Sequence, residues 1–189
     1  DNMRLLERLL RQTQIPVAYN NAKRPTMKLS HCHPLPLGFT SEYELIEITL
    51  NTNWMSHMID SLKNALPDGI LLYDIRISFG QTQSLSAVIN RATYTLSLSD
   101  IVSAEHFNER IGTIKKANEL VIQREGKSGV TPVDIRSALF DVFIQDNTLT
   151  MTLGLGEKGY ARPTEIFSLL DTENKNALAS LPFHRKELF

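Results

Sequence analysis

The sequence predicts an α+β fold made of two ferredoxin-like units in tandem, each with an antiparallel sheet and helices on one face of it. Two observations predict this fold. The order helix, strand, strand, helix, strand can be followed through residues 1–83, and a similar order recurs over residues 84–189. In addition, 42% of the 189 residues are hydrophobic and 22% are charged, as in ordinary globular proteins. These two ranges are therefore the predicted units.

The first unit begins with a helix in which leucines recur at helical spacing, and Pro16 limits this helix. The next patterns predict strands at residues 27–32 and 43–50, a helix that stops before Pro67, and a buried strand at residues 70–79. This is the order β-α-β-β-α-β without its first strand. We expect the missing strand to precede residue 1.

The second unit begins with a half-buried strand at residues 93–98, where apolar side chains alternate with Thr and Ser. A helix that carries Phe107 follows it. A long hairpin is predicted over residues 133–155, and a last helix starts at Pro163, since proline suits the first helical position. His184 and Arg185 fall in a polar tail, where the sequence shows no partner for either.

Charge and cysteine content limit the classes of function. The 20 Lys and Arg residues against 21 Asp and Glu residues give a net charge of −1, so the whole molecule has no electrostatic attraction to nucleic acid or to an anionic membrane. The single cysteine, Cys32, excludes an internal disulfide and suits a reducing compartment. No apolar run is long enough to span a bilayer, so we predict a cytoplasmic protein without a membrane partner.

Basic residues are nevertheless concentrated near the start of the sequence. Helical spacing places three arginines on one face of the first helix, which is either a solvated face or a phosphate-binding face. An arginine also precedes the last helix, where free amides and the helix dipole favour an anion. The predicted RNA- or phosphate-binding residues are Arg4, Arg8, Arg11, Lys23, Arg24, Lys28 and Arg162.

Residues that could support catalysis are few. Strand alternation predicts that His31 and His33 point to one side, where either could act as an acid or base while Lys28 stabilises developing charge. No further ligand lies at a diagnostic spacing, so we predict no metal site. The letters of G-x-G-x-x-G occur from Gly154 to Gly159, but a late antiparallel strand before them favours a turn over a dinucleotide site.

Several landmarks together resemble a known family. They are the proline-rich run at residues 34–38, Pro16, Tyr19 and Pro25 before it, and residues 66–70, 133–136 and 162–165 after it. In these landmarks the chain resembles a bacterial radical-SAM-linked domain of unknown function, which is fused to, or encoded beside, cobalamin-binding radical SAM proteins. Relatives also occur near ribonuclease G-type genes, a context that implies RNA.

The resemblance implies a partner or fused enzyme that holds a [4Fe-4S] cluster, S-adenosylmethionine and cobalamin. This chain has no three-cysteine motif, so we expect it to hold none of these cofactors itself. The leading hypothesis is a non-catalytic accessory domain that presents a substrate, RNA by expectation, to that enzyme. One alternative is a module that docks on the enzyme through residues 43–50 or the long hairpin. The other is a small, metal-independent RNA-processing enzyme. The sequence leaves the oligomeric state open.

Overall fold

The computed structural model describes residues 2–80, 83–98, 104–126, 129–156, 159–171 and 181–189. Within these ranges the chain is an α+β protein, as predicted, with both antiparallel and mixed sheets. It divides into two compact units, one made of Asp1–Cys32 and Leu45–Leu85 and the other of His33–Glu44 and Ser86–Phe189. The segment His33–Glu44 thus belongs to the second unit, although it is flanked in sequence by the first.

The helices in the described ranges are α1 (Asn2–Gln12), α2 (His57–Ala65), α3 (Leu85–Val88), α4 (Ala104–Lys116) and α5 (Pro163–Leu170). The strands there are β1 (Leu29–Cys32), β2 (Thr40–Ser41), β3 (Leu45–Ile48), β4 (Arg91–Ser97), β5 (Val121–Gly126), β6 (Gly129–Asp134), β7 (Leu139–Gln145), β8 (Thr148–Gly156), β9 (Gly159–Tyr160) and β10 (His184–Leu188).

The first unit has a small core beneath α1 and α2. The apolar face of α1 buries Leu9 and Leu10 against Met58 and Leu62 of α2. Strands β1 and β3 form an antiparallel pair, in which Cys32 lies opposite Leu45. Because the leucine face of α1 packs into this core, the arginines on the opposite face are left in solvent, as an amphipathic helix requires.

The predicted buried strand at residues 70–79 is wrong. The structure assigns no strand there, and Leu71, Tyr73 and Phe79 expose 71%, 74% and 81% of their surface. The alternation of apolar side chains is present, but a strand also needs a hydrogen-bonding neighbour. Among the described residues, β1 and β3 pair with each other and neither pairs with this segment. The tandem ferredoxin-like arrangement is therefore not confirmed.

The second unit is built on a sheet in which the strands lie in the order β2-β10-β4-β8-β7, with β9 paired to β8. All neighbours are antiparallel except β10 and β2. Helix α4 lies between β4 and β7 in the sequence, and α5 lies between β9 and β10. The predicted long hairpin includes β7 and β8, and β8 is in the middle of this sheet, so the hairpin is part of the fold's core.

Helices α4 and α5 provide the core of the second unit. On β4, Ala92, Tyr94 and Leu96 are buried, which confirms the predicted alternation. Phe107 of α4 and Phe167 of α5 are both buried, and their ring centroids are 5.7 Å apart. Phe183, just before β10, makes an edge-on contact with Phe167 at 6.3 Å. Burial of these aromatic rings is a major contribution to the stability of this unit.

Of the three glycines near the end of β8, Gly154 and Gly159 allow close backbone packing. Gly156 pairs with Gly159 across β8 and β9, as the predicted turn requires. A Cβ atom on Gly154 would lie 2.5 Å from the carbonyl oxygen of Gly159 and 3.3 Å from Cα of Ala138. The match to a dinucleotide motif thus reflects steric demands of an antiparallel hairpin.

These contacts predict opposite outcomes for two alanine substitutions. Gly154→Ala places a methyl group against backbone that has no room to yield, so we expect a loss of about 2 kcal/mol in the free energy of unfolding. Gly156→Ala meets only Cβ of Asn90 at 3.7 Å and should change it by less than about 0.5 kcal/mol. Urea unfolding followed by circular dichroism measures both, and equal stabilities would contradict the close approach of β8 and β9.

Candidate functional site

The second unit contains a cavity of about 440 Å³, which is within the usual size range of small-molecule sites. Its walls include apolar and aromatic side chains from the proline-rich run and from β4, β8 and β9. Its polar lining comes from His33, Tyr94, Arg162, Thr164 and Arg185. A cavity that combines apolar walls with a few converging polar groups is the usual form of a binding site.

Arg185 is the most deeply buried charged side chain of the described residues, with 1% of its surface exposed. Its Nη1 donates to the carbonyl oxygen of His33 at 2.8 Å and to Oε1 of Glu44 at 2.9 Å. Its Nη2 donates to the hydroxyl of Tyr94 at 3.3 Å. The interpretation of Arg185 as an unpartnered tail residue is therefore wrong, because β10 lies between β2 and β4.

Tyr94 presents a neutral hydroxyl to the cavity. Burial raises the pKa of this phenol above its ordinary value, and the charge and hydrogen bond of Arg185 oppose this effect only in part. Because the hydroxyl oxygen accepts from Arg185, the hydroxyl hydrogen can be donated to a further acceptor. Tyr94 is thus a potential donor to a bound ligand at neutral pH.

His33 is held in an uncommon backbone conformation at the edge of the cavity. Its φ is 51°, in the left-handed region that non-glycine residues seldom adopt. Its Nε2 lies 2.7 Å from the carbonyl oxygen of Ile89, which can only accept, so Nε2 carries the hydrogen. In the neutral ring, Nδ1 is then an acceptor. Strand β1 ends at Cys32, so strand alternation does not continue to His33 and the predicted shared face with His31 does not form.

The start of α5 is fixed by a carboxylate between two arginines. Arg124 donates to both oxygens of Glu165, at 2.9 and 2.7 Å, and this hydrogen bond raises the pKa of the guanidinium. Glu165 also accepts from the backbone N–H of Arg162 at 2.8 Å. The side chain of Arg162 is less tightly held, with Nε 3.9 Å from Glu165, and both arginines lie over the ring of Tyr160. Arg162 thus precedes the last helix, as predicted, and lines the cavity.

The other predicted anion-binding residues lie in the first unit. Arg4, Arg8 and Arg11 are exposed on α1, and Arg11 pairs with Glu7 at 3.3 Å. Lys23 and Arg24 lie on a loop between bridged residues Tyr19 and Met27, and Lys28 follows it; all three cations are exposed. Asn20 closes this loop, since its Oδ1 accepts from the N–H of Thr26 at 3.1 Å and its Nδ2 donates to Oγ1 of the same residue.

Two further findings concern the remaining predictions for metals and membranes. Within the described ranges, no group of three or more His, Cys, Asp or Glu residues is placed so that it could hold a metal ion. None of the helices in those ranges is both long enough and apolar enough to cross a bilayer.

Of the predicted catalytic residues, His31 lies on β1 opposite Ile46. The catalytic roles predicted for His31, His33 and Lys28 stay predictions.

A comparison with protein families identifies the chain. A family model described as an uncharacterized protein conserved in bacteria, DUF2344, matches residues 1–163. The chain belongs to the DUF2344 family. No curated protein and no solved structure matches it. Family membership confirms the predicted resemblance at the level of a bacterial domain of unknown function.

The ion pair of Arg185 in this DUF2344 protein predicts that two nearby glutamates, Glu44 and Glu42, contribute unequally to stability. Glu44→Gln replaces the carboxylate beside buried Arg185 with a neutral amide, so we expect a loss of about 1–3 kcal/mol in the free energy of unfolding. Glu42 is 64% exposed and lies 3.4 Å from His184, so Glu42→Gln should cost less than about 0.5 kcal/mol. Urea unfolding midpoints test both predictions. If Glu44→Gln left the free energy of unfolding unchanged, the role assigned to Arg185 would be contradicted.

Proposed function

We propose that this DUF2344 chain is a non-catalytic accessory domain that presents RNA to a cobalamin-binding radical SAM enzyme, in the same polypeptide or in a separate one. The observation that carries the RNA-binding part is the charge of residues 8–32. This range holds five cationic side chains and no carboxylate, and the structure leaves all five exposed. Arg11 pairs with Glu7, which lies just before this range, and the other four exposed cations suit a polymer that carries one negative charge per nucleotide.

The loop closed by Asn20 supports this proposal, because it holds two of the cations on an ordered turn. Lys23 and Arg24 project from a segment of backbone that is fixed at both ends by hydrogen bonds to Asn20 and by the Tyr19–Met27 bridge. A preformed loop loses little conformational entropy when it binds. Ordered cations can therefore contact phosphates without a folding penalty.

The open face of the second unit's sheet supports RNA binding independently. We propose that this unit is ferredoxin-like, since β4, α4, β7, β8, α5 and β10 follow the order β-α-β-β-α-β, although the β5–β6 hairpin is inserted after α4. Phe140 and Phe143 of β7 are exposed, and the guanidinium of Arg91 lies 4.1 Å from the ring centroid of Phe140. Exposed aromatic rings on a four-stranded sheet are a common means of stacking single-stranded RNA bases.

A salt titration tests the RNA proposal. We expect the chain to bind a fluorescein-labelled pool of tRNA and rRNA fragments, and the logarithm of the affinity to fall linearly with the logarithm of KCl concentration. In an Arg8→Glu, Arg24→Glu double variant, loss of two phosphate contacts should weaken binding at low salt and reduce this slope by about 1.4. Fluorescence anisotropy measures both quantities.

The control is a Lys63→Glu, Arg76→Glu variant, which changes the net charge of the first unit equally at two other exposed positions. We expect its slope to stay close to that of the unmodified chain. Equal losses in the two variants would show that net charge alone is responsible. Binding that does not depend on salt would contradict the proposal.

A docking module remains a second candidate, and the exposed segment at residues 70–79 favours it. No backbone hydrogen bond within the described ranges involves residues 71–79, while alternate apolar side chains reach solvent. Such a segment can accept a strand from another polypeptide, which supplies the missing backbone partners and covers the apolar side chains. The proposed occupant is an extended strand of the radical SAM partner with apolar side chains on one face.

For this docking role, we expect a Leu71→Asp, Tyr73→Asp variant to lose copurification with the radical SAM protein encoded with the chain. Two charges on the exposed side chains oppose burial under an added strand. A Val121→Asp, Val130→Asp variant, altered at exposed positions of the β5–β6 hairpin, should copurify normally. Circular dichroism confirms that each variant is folded, and normal copurification of the first variant would eliminate docking at this segment.

A further inference from the structure

The cavity of the second unit has a chemical character that the cationic surface of residues 8–32 lacks. That surface consists of exposed side chains, which suit a flexible polymer. The cavity is instead a half-open depression of about 440 Å³ with a buried guanidinium in its wall. Its shape and its buried charge suit a discrete group better than a polymer.

One part of the cavity wall favours an anion. Arg162 and Thr164 line the cavity at the start of α5, where the second residue has no acceptor within the helix for its backbone N–H. The helix dipole adds positive potential at this end. Arg185, which also lines the cavity, is almost fully buried, and its Nε has no hydrogen-bond partner within the described ranges.

The arginines at the cavity differ in how tightly described carboxylates hold them. Glu44 pairs with Arg185 at 2.9 Å, and Glu165 is held by Arg124 at 2.7 Å. Within the part of the chain that the structure describes, Arg162 has only the longer 3.9 Å contact to a carboxylate that Arg124 already holds. Among the described residues, these three guanidinium groups share two carboxylates, and Arg162 is the arginine that can turn toward a ligand. A guanidinium fork beside the N–H of Thr164, the one first-turn amide without a described acceptor, matches phosphate geometry.

The rest of the wall favours a planar ring. Phe39, Tyr160, Pro34 and Leu155 supply aromatic and apolar surface, on which a heterocycle can stack. Two hydrogen-bonding groups remain beside this surface: Nδ1 of His33 as an acceptor and the Tyr94 hydroxyl hydrogen as a donor. These suit the sugar hydroxyls and ring nitrogens of a nucleoside.

We infer that this cavity binds a nucleoside monophosphate, with the phosphate at Arg162 and the start of α5 and the base against Tyr160 and Phe39. The nucleotide is either free in solution or the phosphorylated end of an RNA strand, since both present the same group. The site is independent of the cationic surface of residues 8–32, because a free nucleotide needs no contact with that surface.

Isothermal titration calorimetry of the full chain with AMP, GMP, CMP and UMP tests this inference. We expect at least one nucleotide to bind, and Arg162→Gln to weaken its binding about 10-fold to 100-fold, as expected for loss of a charged hydrogen bond. Lys186→Gln removes the same charge from an exposed residue of β10 and should change the affinity less than about twofold. Neither residue lies in the buried core, so both variants are expected to fold.

Three outcomes would overturn the inference: no heat of binding with any nucleotide, adenosine binding as tightly as AMP, or inorganic phosphate binding as tightly as AMP. A competition experiment decides whether the ligand is a free nucleotide or the end of an RNA strand. If the cavity accepts an RNA end, a 5′-phosphorylated RNA oligomer displaces AMP, whereas a 5′-hydroxyl oligomer does not. If neither oligomer displaces AMP, the ligand is a free nucleotide. The Arg8→Glu, Arg24→Glu variant should bind AMP normally, so failure of the RNA-presenting role and failure of this site are distinguishable.

Discussion

The guanidinium of Arg185 is the constraint on which the second unit depends. A charge with 1% of its surface exposed is stable only if it is paired and hydrogen-bonded, because desolvation of an unpaired ion costs several kcal/mol. Its partners come from two distant parts of the sequence: the carbonyl of His33 and the carboxylate of Glu44 from one segment, and the hydroxyl of Tyr94 from β4. These contacts hold both ends of His33–Glu44 against β4 and β10. They explain why this segment groups with the second unit.

Local pattern was sufficient to predict most helices and strands. Three features each depend on residues that are close together in the sequence: the leucine spacing of α1, the alternation on β4 and the proline at the start of α5. These secondary-structure elements can therefore be predicted from sequence alone. Arg185 shows where such reasoning stops. Its neighbours in sequence are charged residues typical of a solvated tail, whereas its three partners lie 91 to 152 positions away. Only the sheet order brings them together, and no local pattern specifies that order.

Residues 70–79 and Gly154 show two other reasons why sequence patterns mislead. In residues 70–79 the period-two pattern is present, yet a strand is a property of two segments, and the described part of the first unit offers no neighbour. At Gly154 the letters match a phosphate-binding motif, but the cause is the carbonyl oxygen of Gly159, which leaves no room for a side chain. The left-handed conformation of His33 had no sequence signal either, and its partners Ile89 and Arg185 lie 56 and 152 positions away. Of the cavity's polar lining, the sequence therefore predicted Arg162 as an anion-binding residue. It indicated His33 only because an imidazole can act as an acid or base, and not because of its position.

The position of β10 has a consequence for synthesis on the ribosome. This strand, His184–Leu188, follows every other strand of its sheet in the sequence, yet it lies between β2 and β4. While the chain is being made, β4 can pair with β8, but its other edge stays open until β10 emerges. An open edge of this kind invites pairing with other nascent chains. The second unit therefore closes its sheet only after translation has passed residue 188, and a deletion of residues 184–188 removes an interior strand and the buried arginine with it.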